Sequence, residues 1–182
     1  MALKVSIPVG VIVAKKKVDH PWIDWSWRPV AVLPGAAPVE DWVEIQSGEG
    51  WTHYHCATLP LTLYRGETEA YLVNLSDTPP KVYVVLRRDD RGRADRPYFV
   101  EMVTASPYEA GDFLAPGEDI VEPVPMPPGL VAWTQAFIDE HHVEREFKKR
   151  RRDKADPEAT KFGKEPIFSN PRGRRFDTES EN

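Results

Sequence analysis

The sequence predicts a mainly β domain of the α+β class. We expect an antiparallel barrel or sandwich of about seven strands, a short helix, a C-terminal amphipathic helix and a disordered tail. Apolar and polar residues alternate with a period of two through much of the N-terminal half, which is the pattern of half-buried strands. The chain has 18 prolines and 11 glycines, and this many prolines disfavour an all-helical protein because each one removes a backbone donor. Turn-forming stretches separate the alternating segments.

Seven stretches satisfy the strand pattern, and a turn signal separates most neighbours. They are Val5–Ala14, Trp25–Leu33, Trp42–Gln46, Thr52–Leu63, Glu69–Leu75, Lys81–Arg88 and Pro97–Thr104.

The segment YRG at 64–66 predicts a hairpin between the fourth and fifth of these stretches. A three-residue loop of this kind places a glycine, here Gly66, in the left-handed conformation. In the resulting register His53 faces Asp77, and most apolar odd-numbered positions share one face.

Two helices are predicted after the strands. The segment SPYEAGDFL at 106–114 begins with a capping box and a proline at the first helical position, so it predicts a short helix that ends near Gly111. Residues 116–128 contain too many prolines for regular structure and are expected to be extended on the surface. Apolar residues then recur at helical spacing over 128–143, which predicts a helix with an apolar stripe against the sheet.

Charge divides the chain into an acidic body and a basic tail. Residues 144–182 contain 12 basic and 9 acidic residues, whereas the preceding 143 contain 12 and 20. We therefore expect a compact domain over 1–147 and a charged, disordered tail over 148–182. An acidic body disfavours a general nucleic-acid binder.

The compartment expected from the sequence is the cytoplasm. The single cysteine excludes an internal disulfide. The apolar stretch VSIPVGVIVA at 5–14 is too short to span a bilayer. Its lysine run is on the wrong side for a signal peptide, so the stretch is expected to be a first strand. No membrane association is expected.

The segment HYHC at 53–56 is the candidate metal or catalytic site. On a strand, His53 and His55 point to one face and could bind a metal, with Asp77 as the third group. Cys56 points to the other face, where it is expected to fill the core. The interpretation that we favour is structural: hydrogen-bonded, partly buried histidines with no metal and no cofactor.

Two further stretches are candidate partner-binding sites. HPWIDWSWRPV at 20–30 places Trp22 and Trp25 near Arg28, which suits either core packing or an exposed protein-binding surface. The tail combines a basic run with aromatic residues, as segments that fold on a protein partner often do. Its candidate binding residues are Lys148, Lys149, Arg150, Arg151, Arg152, Phe162 and Phe168.

Long segments of the chain resemble one family. PVGVIVAKKKVDHPWIDWSWRPVAVLPG, GWTHYHCATLPLTLYRGETEAYLVNL, PKVYVVLRR, VTASPYEA, EDIVEPVPMP and FIDEHHVEREFKKRRRDK are similar to the proteobacterial domain of unknown function 3305, over residues 7–162. The resemblance implies a genetic neighbourhood with molybdenum-dependent formate dehydrogenase. Some members also carry the label of protein A of molybdopterin-guanine dinucleotide biosynthesis, a nucleotidyltransferase that opens with a Gly-rich loop. IPVGVIVAKKKVD has no such loop.

These observations favour a non-catalytic accessory protein. The resemblance implies that its partner is a formate dehydrogenase subunit or a maturation factor of that enzyme. The chain has no Walker loop, GxGxxG, CxxC, GxSxG or HExxH motif. Two alternatives stay open: a small-molecule or metal-binding enzyme or cofactor carrier that uses the histidine pair, and a regulatory nucleic-acid binder that uses the basic tail.

Overall fold

The computed structural model of the protein describes residues 3–90, 93, 95–114 and 117–143. Strands dominate this part of the chain, as predicted. The strands are β1 (Lys4–Lys17), β2 (Trp25–Pro34), β3 (Val43–Gly48), β4 (Trp51–Tyr64), β5 (Lys81–Arg88), β6 (Tyr98–Thr104) and β7 (Ile120–Pro125). The helices are α1 (Thr68–Leu75), α2 (Pro107–Leu114) and α3 (Pro128–His141), and a 3-10 turn at Arg65–Glu67 precedes α1.

The strands form two antiparallel sheets. The first has the order β2-β1-β4-β3 and the second the order β6-β5-β7. The longest pairing joins β1 to β4 and runs from Lys4 opposite Tyr64 to Lys16 opposite Trp51. Over the described residues the strands do not close into a barrel, so the sandwich is the predicted arrangement that fits.

One hydrophobic core lies between the sheets and the helices. Val9, Val11 and Val13 alternate along β1 and have no exposed surface, because successive side chains of a strand point to opposite faces. They pack in one cluster with residues from β4, β5, α1 and α3. The largest of these are Leu61, Leu63, Tyr71, Leu86, Leu130 and Phe137.

The predicted strand Glu69–Leu75 is wrong, because these residues form α1. The predicted hairpin is wrong with it: Gly66 lies in the 3-10 turn, and β4 pairs with β1 and β3 instead. The buried residues explain the helix. Thr68, Tyr71 and Asn74 recur every three residues and are all buried, which is the spacing of one helix face and not of a strand.

Helix α2 confirms the helix predicted at 106–114. Ser106 is its N-cap, since the backbone N–H of Glu109 donates to Oγ of Ser106 at 3.3 Å. The Glu109 side chain closes the cap through Thr104, whose hydroxyl accepts from the N–H of Ser106 and donates to the carboxylate. The predicted end near Gly111 is wrong, because the helix continues for three more residues.

The prediction that residues 116–128 lack regular structure is wrong, because they contain β7. β7 is an edge strand that pairs with β5. Pro123 and Pro125 are two apart, so both missing N–H groups lie on the same side of the strand. The N–H of Met126, one residue past Pro125, donates to the carbonyl of Pro80 at 2.8 Å, so the even-numbered N–H groups face β5 and the prolines leave that pairing intact.

Helix α3 follows, where a helix was predicted at 128–143. Its buried residues are Leu130, Thr134, Phe137 and Ile138, and it packs against α1. None of the helices in the described residues has the length and apolar composition to cross a membrane. The predicted tail, 148–182, lies outside the described residues.

Candidate functional site

The histidine pair lies on the outer face of the first sheet, opposite the core. His53 and His55 are on β4, where they pair with Ala14 and Ile12 of β1. The ring of His53 packs against Trp51 with 4.8 Å between the ring centroids. The register that would place Asp77 opposite His53 is wrong, because β4 has β1 and β3 as its neighbours.

Hydrogen bonding holds the His55 ring in place. Nε2 of His55 lies 3.0 Å from Oγ1 of Thr58, and the Thr58 hydroxyl donates to the carbonyl of Ala37 at 2.8 Å. Because this hydroxyl proton goes to Ala37, Nε2 of His55 must carry the proton that it donates to Thr58. The ring thereby attaches the loop after β2 to the outer face. No group of three or more metal-ligating side chains occurs among the described residues.

Cys56 lies in the core at a β-bulge. The pairing with β1 passes from Ala57 to His55, so Cys56 is the extra residue. It has 6% of its surface exposed. Burial raises the pKa of its thiol to about 12, which keeps the sulfur protonated and unreactive at neutral pH.

Three aromatic rings extend the core under the first sheet. Trp27 lies edge-on to Trp42 at 5.5 Å between centroids, and Trp42 lies 5.6 Å from Tyr54. All three are partly buried and pack against the core cluster. Trp27 and Trp42 therefore serve packing, which was one of the two interpretations of the tryptophan-rich stretch.

The N-terminal end of the tryptophan-rich stretch, around Trp22, is exposed. The exposed fractions are 87% for Trp22, 51% for Ile23 and 40% for Trp25. Exposed apolar residues are common one at a time, but adjacent large ones mark interaction sites. We call Trp22, Ile23 and Trp25 the tryptophan surface.

Hydrogen bonds close the loop that carries the tryptophan surface. The N–H of Val18 donates to the carbonyl of Asp24 at 3.0 Å, which joins the end of β1 to the start of β2. The N–H of Trp22 donates to Nδ1 of His20 at 3.2 Å. The backbone that presents Trp22 and Ile23 is therefore held by contacts within the loop.

A lysine lies over the two tryptophan rings of β2. Nζ of Lys15 is 4.5 Å from the centroid of Trp25 and 5.1 Å from that of Trp27, within the range of cation–π attraction. Lys15 pairs with Trp27, and Lys17 pairs with Trp25. The core-side face of β1 thus changes from valines to lysines where it meets these tryptophans.

Arg28 makes an ion pair between the sheets. Its Nε donates to Oε1 of Glu122 at 2.6 Å, which joins β2 to β7. The cation over the tryptophan rings is Lys15, which the sequence did not single out. The remaining candidate residues, which are Lys148, Lys149, Arg150, Arg151, Arg152, Phe162 and Phe168, lie outside the described residues.

The structure also contains an acidic groove that was not predicted from the sequence. Its volume is about 520 Å³, and it lies between α1 and α2. The sequence contains two short acidic stretches, one at Glu67 and Glu69 and one at Glu109 and Asp112. Because residues 69–75 were interpreted as a strand, these stretches were not expected to lie close together. The acidic residues that line it are Glu67, Glu69, Glu109 and Asp112.

Comparison with known proteins places most of the chain in one family. The model of a family described as a protein of unknown function, DUF3305, matches residues 8–151. No curated protein matches the chain, and no solved structure matches it.

Proposed function

Because the chain belongs to the DUF3305 family, whose function is unknown, we propose a function from its surface: it is a non-catalytic accessory protein that binds another protein. The partner is a component of a molybdenum-dependent formate dehydrogenase or a maturation factor of that enzyme, as the family resemblance of the sequence implies. The tryptophan surface is the contact. The observation that carries this proposal is the 87% exposure of Trp22 beside a second exposed tryptophan and an exposed isoleucine.

The energetics favour a protein partner. Tryptophan is enriched among the residues that dominate binding energy, because its large ring excludes water over a wide area. Burying the exposed part of one such ring contributes about 4 kcal/mol before the costs of association are subtracted. The closed loop lowers those costs, since a held backbone loses little freedom on binding.

Capture from the native host tests the proposal. Tagged full-length chain and the double variant Trp22→Ser/Ile23→Ser are used as baits, and recovered proteins are quantified by mass spectrometry. The double variant leaves the Lys15 contacts with Trp25 and Trp27 in place. We expect a formate dehydrogenase component with the wild type and at least about a ten-fold loss with the variant.

Tyr108→Ser is the matched control. Tyr108 is a large exposed side chain, with 59% of its surface exposed, but it lies on α2. The Tyr108→Ser bait should recover as much of the partner as the wild-type bait does. Equal recovery by the Trp22→Ser/Ile23→Ser variant would contradict the assigned surface. Failure of the wild type to recover any formate dehydrogenase component or maturation factor would refute the assigned partner.

A further inference from the structure

The charges around the tryptophan surface restrict what can bind there. None of Lys15, Lys16 and Lys17 makes an ion pair with a described residue of the protein. Lys15 and Lys17 lie on the same side of β1 as Trp25, because they are two residues apart and pair with β2. Positive charge without an acidic partner therefore borders the exposed rings.

A cationic ligand is disfavoured at this place. One face of Trp25 and one face of Trp27 already hold the ammonium group of Lys15, at 4.5 and 5.1 Å from the two ring centroids. A second cation would have to displace Lys15 and would be repelled by it. Because Lys15 is only partly buried, an anionic ligand can instead pair with its ammonium group and leave the cation–π contact intact.

We propose, resting on the proposed function, that the tryptophan surface binds an acidic segment of the partner protein that carries an apolar side chain. The apolar side chain packs on Trp22 and Ile23 at the loop. The carboxylates lie along the end of β1, where Lys15 and Lys17 receive them. Asp19 and Asp24 flank the loop, so the acidic residues of the segment lie toward β1 and not toward the loop.

A protein segment fits this surface better than a nucleic acid does. The first 143 residues contain 20 acidic and 12 basic residues. A nucleic acid carries its charge along its whole length and would meet this acidic excess outside the patch. A short acidic segment confines its charge to the lysines of β1.

Selection of peptides tests the proposal. Random twelve-residue peptides displayed on phage are selected on the immobilised full-length chain. Peptides that bind the wild type but not Trp22→Ser/Ile23→Ser are sequenced. We expect them to be net negative and to contain an aromatic residue or leucine. For two such peptides made synthetically, each of Lys15→Gln and Lys17→Gln should weaken binding about two- to five-fold.

Lys4→Gln is the matched control, because Lys4 lies on the same strand but roughly 36 Å from Lys15 at the rise of an extended strand. It should leave peptide affinity unchanged. Surface-dependent peptides that are neutral or basic, an absence of surface-dependent peptides, or insensitivity to both lysine substitutions would each overturn the proposal. So would surface-dependent binding of a fluorescein-labelled twelve-nucleotide oligothymidylate that is tighter than binding of the selected peptides.

The two proposals fail in different ways. If the double variant loses the native partner but the selected peptides show no acidic bias, only the acidic segment is refuted. If the native partner does not depend on Trp22 and Ile23, the proposed function fails as well.

Discussion

Cys56 is protected by position and not by a covalent partner. It is the extra residue of a bulge in β4, it lies in the core, and its sulfur is 3.5 Å from the carbonyl oxygen of Tyr54. Desolvation of the thiolate outweighs the opposing effects of the Val13 backbone hydrogen bond and the Arg96 charge, which is why the pKa rises to about 12.

The thiol of Cys56 should react slowly in the folded protein. At pH 8 a rise in pKa from 9.0 to about 12 lowers the thiolate fraction by about 10³-fold. We expect a chromogenic disulfide reagent to modify the native protein at least that much more slowly than the protein unfolded in urea. Comparable rates in the two states would show that neither burial nor a raised pKa protects Cys56.

The Asn74 side chain joins α1 to β5 and to the residue that follows β6. Its amide nitrogen donates to the carbonyls of Lys81 and Ala105, and its oxygen accepts from the N–H of Lys81. Asn74→Ala would leave these buried backbone groups without a partner, so we expect a loss of about 3 kcal/mol in the free energy of unfolding in urea.

Val73→Ala is the control for Asn74→Ala. It changes the neighbouring residue of α1, which is 45% exposed, and should cost less than about 1 kcal/mol. A loss for Asn74→Ala no larger than this would mean that its three hydrogen bonds add nothing to stability.

At the scale of elements, strands with a simple period could be predicted and the α1 segment could not. Six of the seven predicted strands are observed, because alternation over several residues bounded by turn signals is typical of strands. The segment EAYLVNL was predicted as a strand because Tyr71, Val73 and Leu75 place apolar residues at alternate positions. Its burial instead follows Tyr71 and Asn74, three residues apart. Whether such a segment forms a helix or a strand depends on its tertiary contacts, and a local sequence pattern does not contain these. For α1 they include the contacts with α3.

Two glycines should respond oppositely to alanine. Gly111 lies within α2, and a Cβ there would meet no atom within 4 Å. Gly111→Ala should therefore stabilise the protein by about 0.5–1 kcal/mol, since alanine loses less backbone entropy in a helix. A decrease in melting temperature would show that α2 is not a continuous helix at this residue.

Gly10→Ala provides the contrast. A Cβ at Gly10 would lie 2.7 Å from both Cβ of Ala36 and Nε2 of His55. This substitution should push the loop off the outer face of the first sheet and lower the melting temperature. Equal effects of the two substitutions would contradict the close approach of the loop to β1.

For the whole molecule, the sequence identified two residues of the candidate site but neither its lysine nor its arrangement. Trp22 and Trp25 were identified from residue type, because tryptophans beside charges are typical of interaction surfaces. Lys15 was missed, because its place over the rings depends on the β1–β2 register, which contains a bulge. His53 and Asp77 were paired wrongly for a different reason: the expected partner strand is helix α1, and β4 pairs with β1 and β3 instead.

The two sides of the sandwich are also joined by a pH-sensitive ion pair. Asp41, before β3, pairs with Arg96, before β6, and with Arg93 at 3.6 Å. Its carboxylate also accepts from the N–H of Trp42 at 2.8 Å. The hydrogen bond from Arg96, followed by that from Trp42, lowers the pKa of Asp41 below its ordinary value of 3.8.

The pair should stabilise the fold at neutral pH and not in acid. Because the pKa of Asp41 is lower in the folded state, its contribution is present above the unfolded pKa and is lost as the pH falls through the folded pKa. We expect the wild type to be more stable than Asp41→Asn in urea at pH 7. The difference should shrink below about pH 4 and vanish when the carboxyl is protonated.

Asp19→Asn is the control, since it removes an exposed carboxylate that makes no ion pair with a described residue. The difference in stability between Asp19→Asn and the wild type should change less with pH than the difference between Asp41→Asn and the wild type. Fluorescence of Trp42 should follow the Asp41 titration, because its backbone contacts the same carboxylate. A stability difference between the wild type and Asp41→Asn that stays constant from pH 7 to pH 3 would show that Arg96 does not hold Asp41 in solution, and that the β2–β3 and β5–β6 connections are not coupled through it.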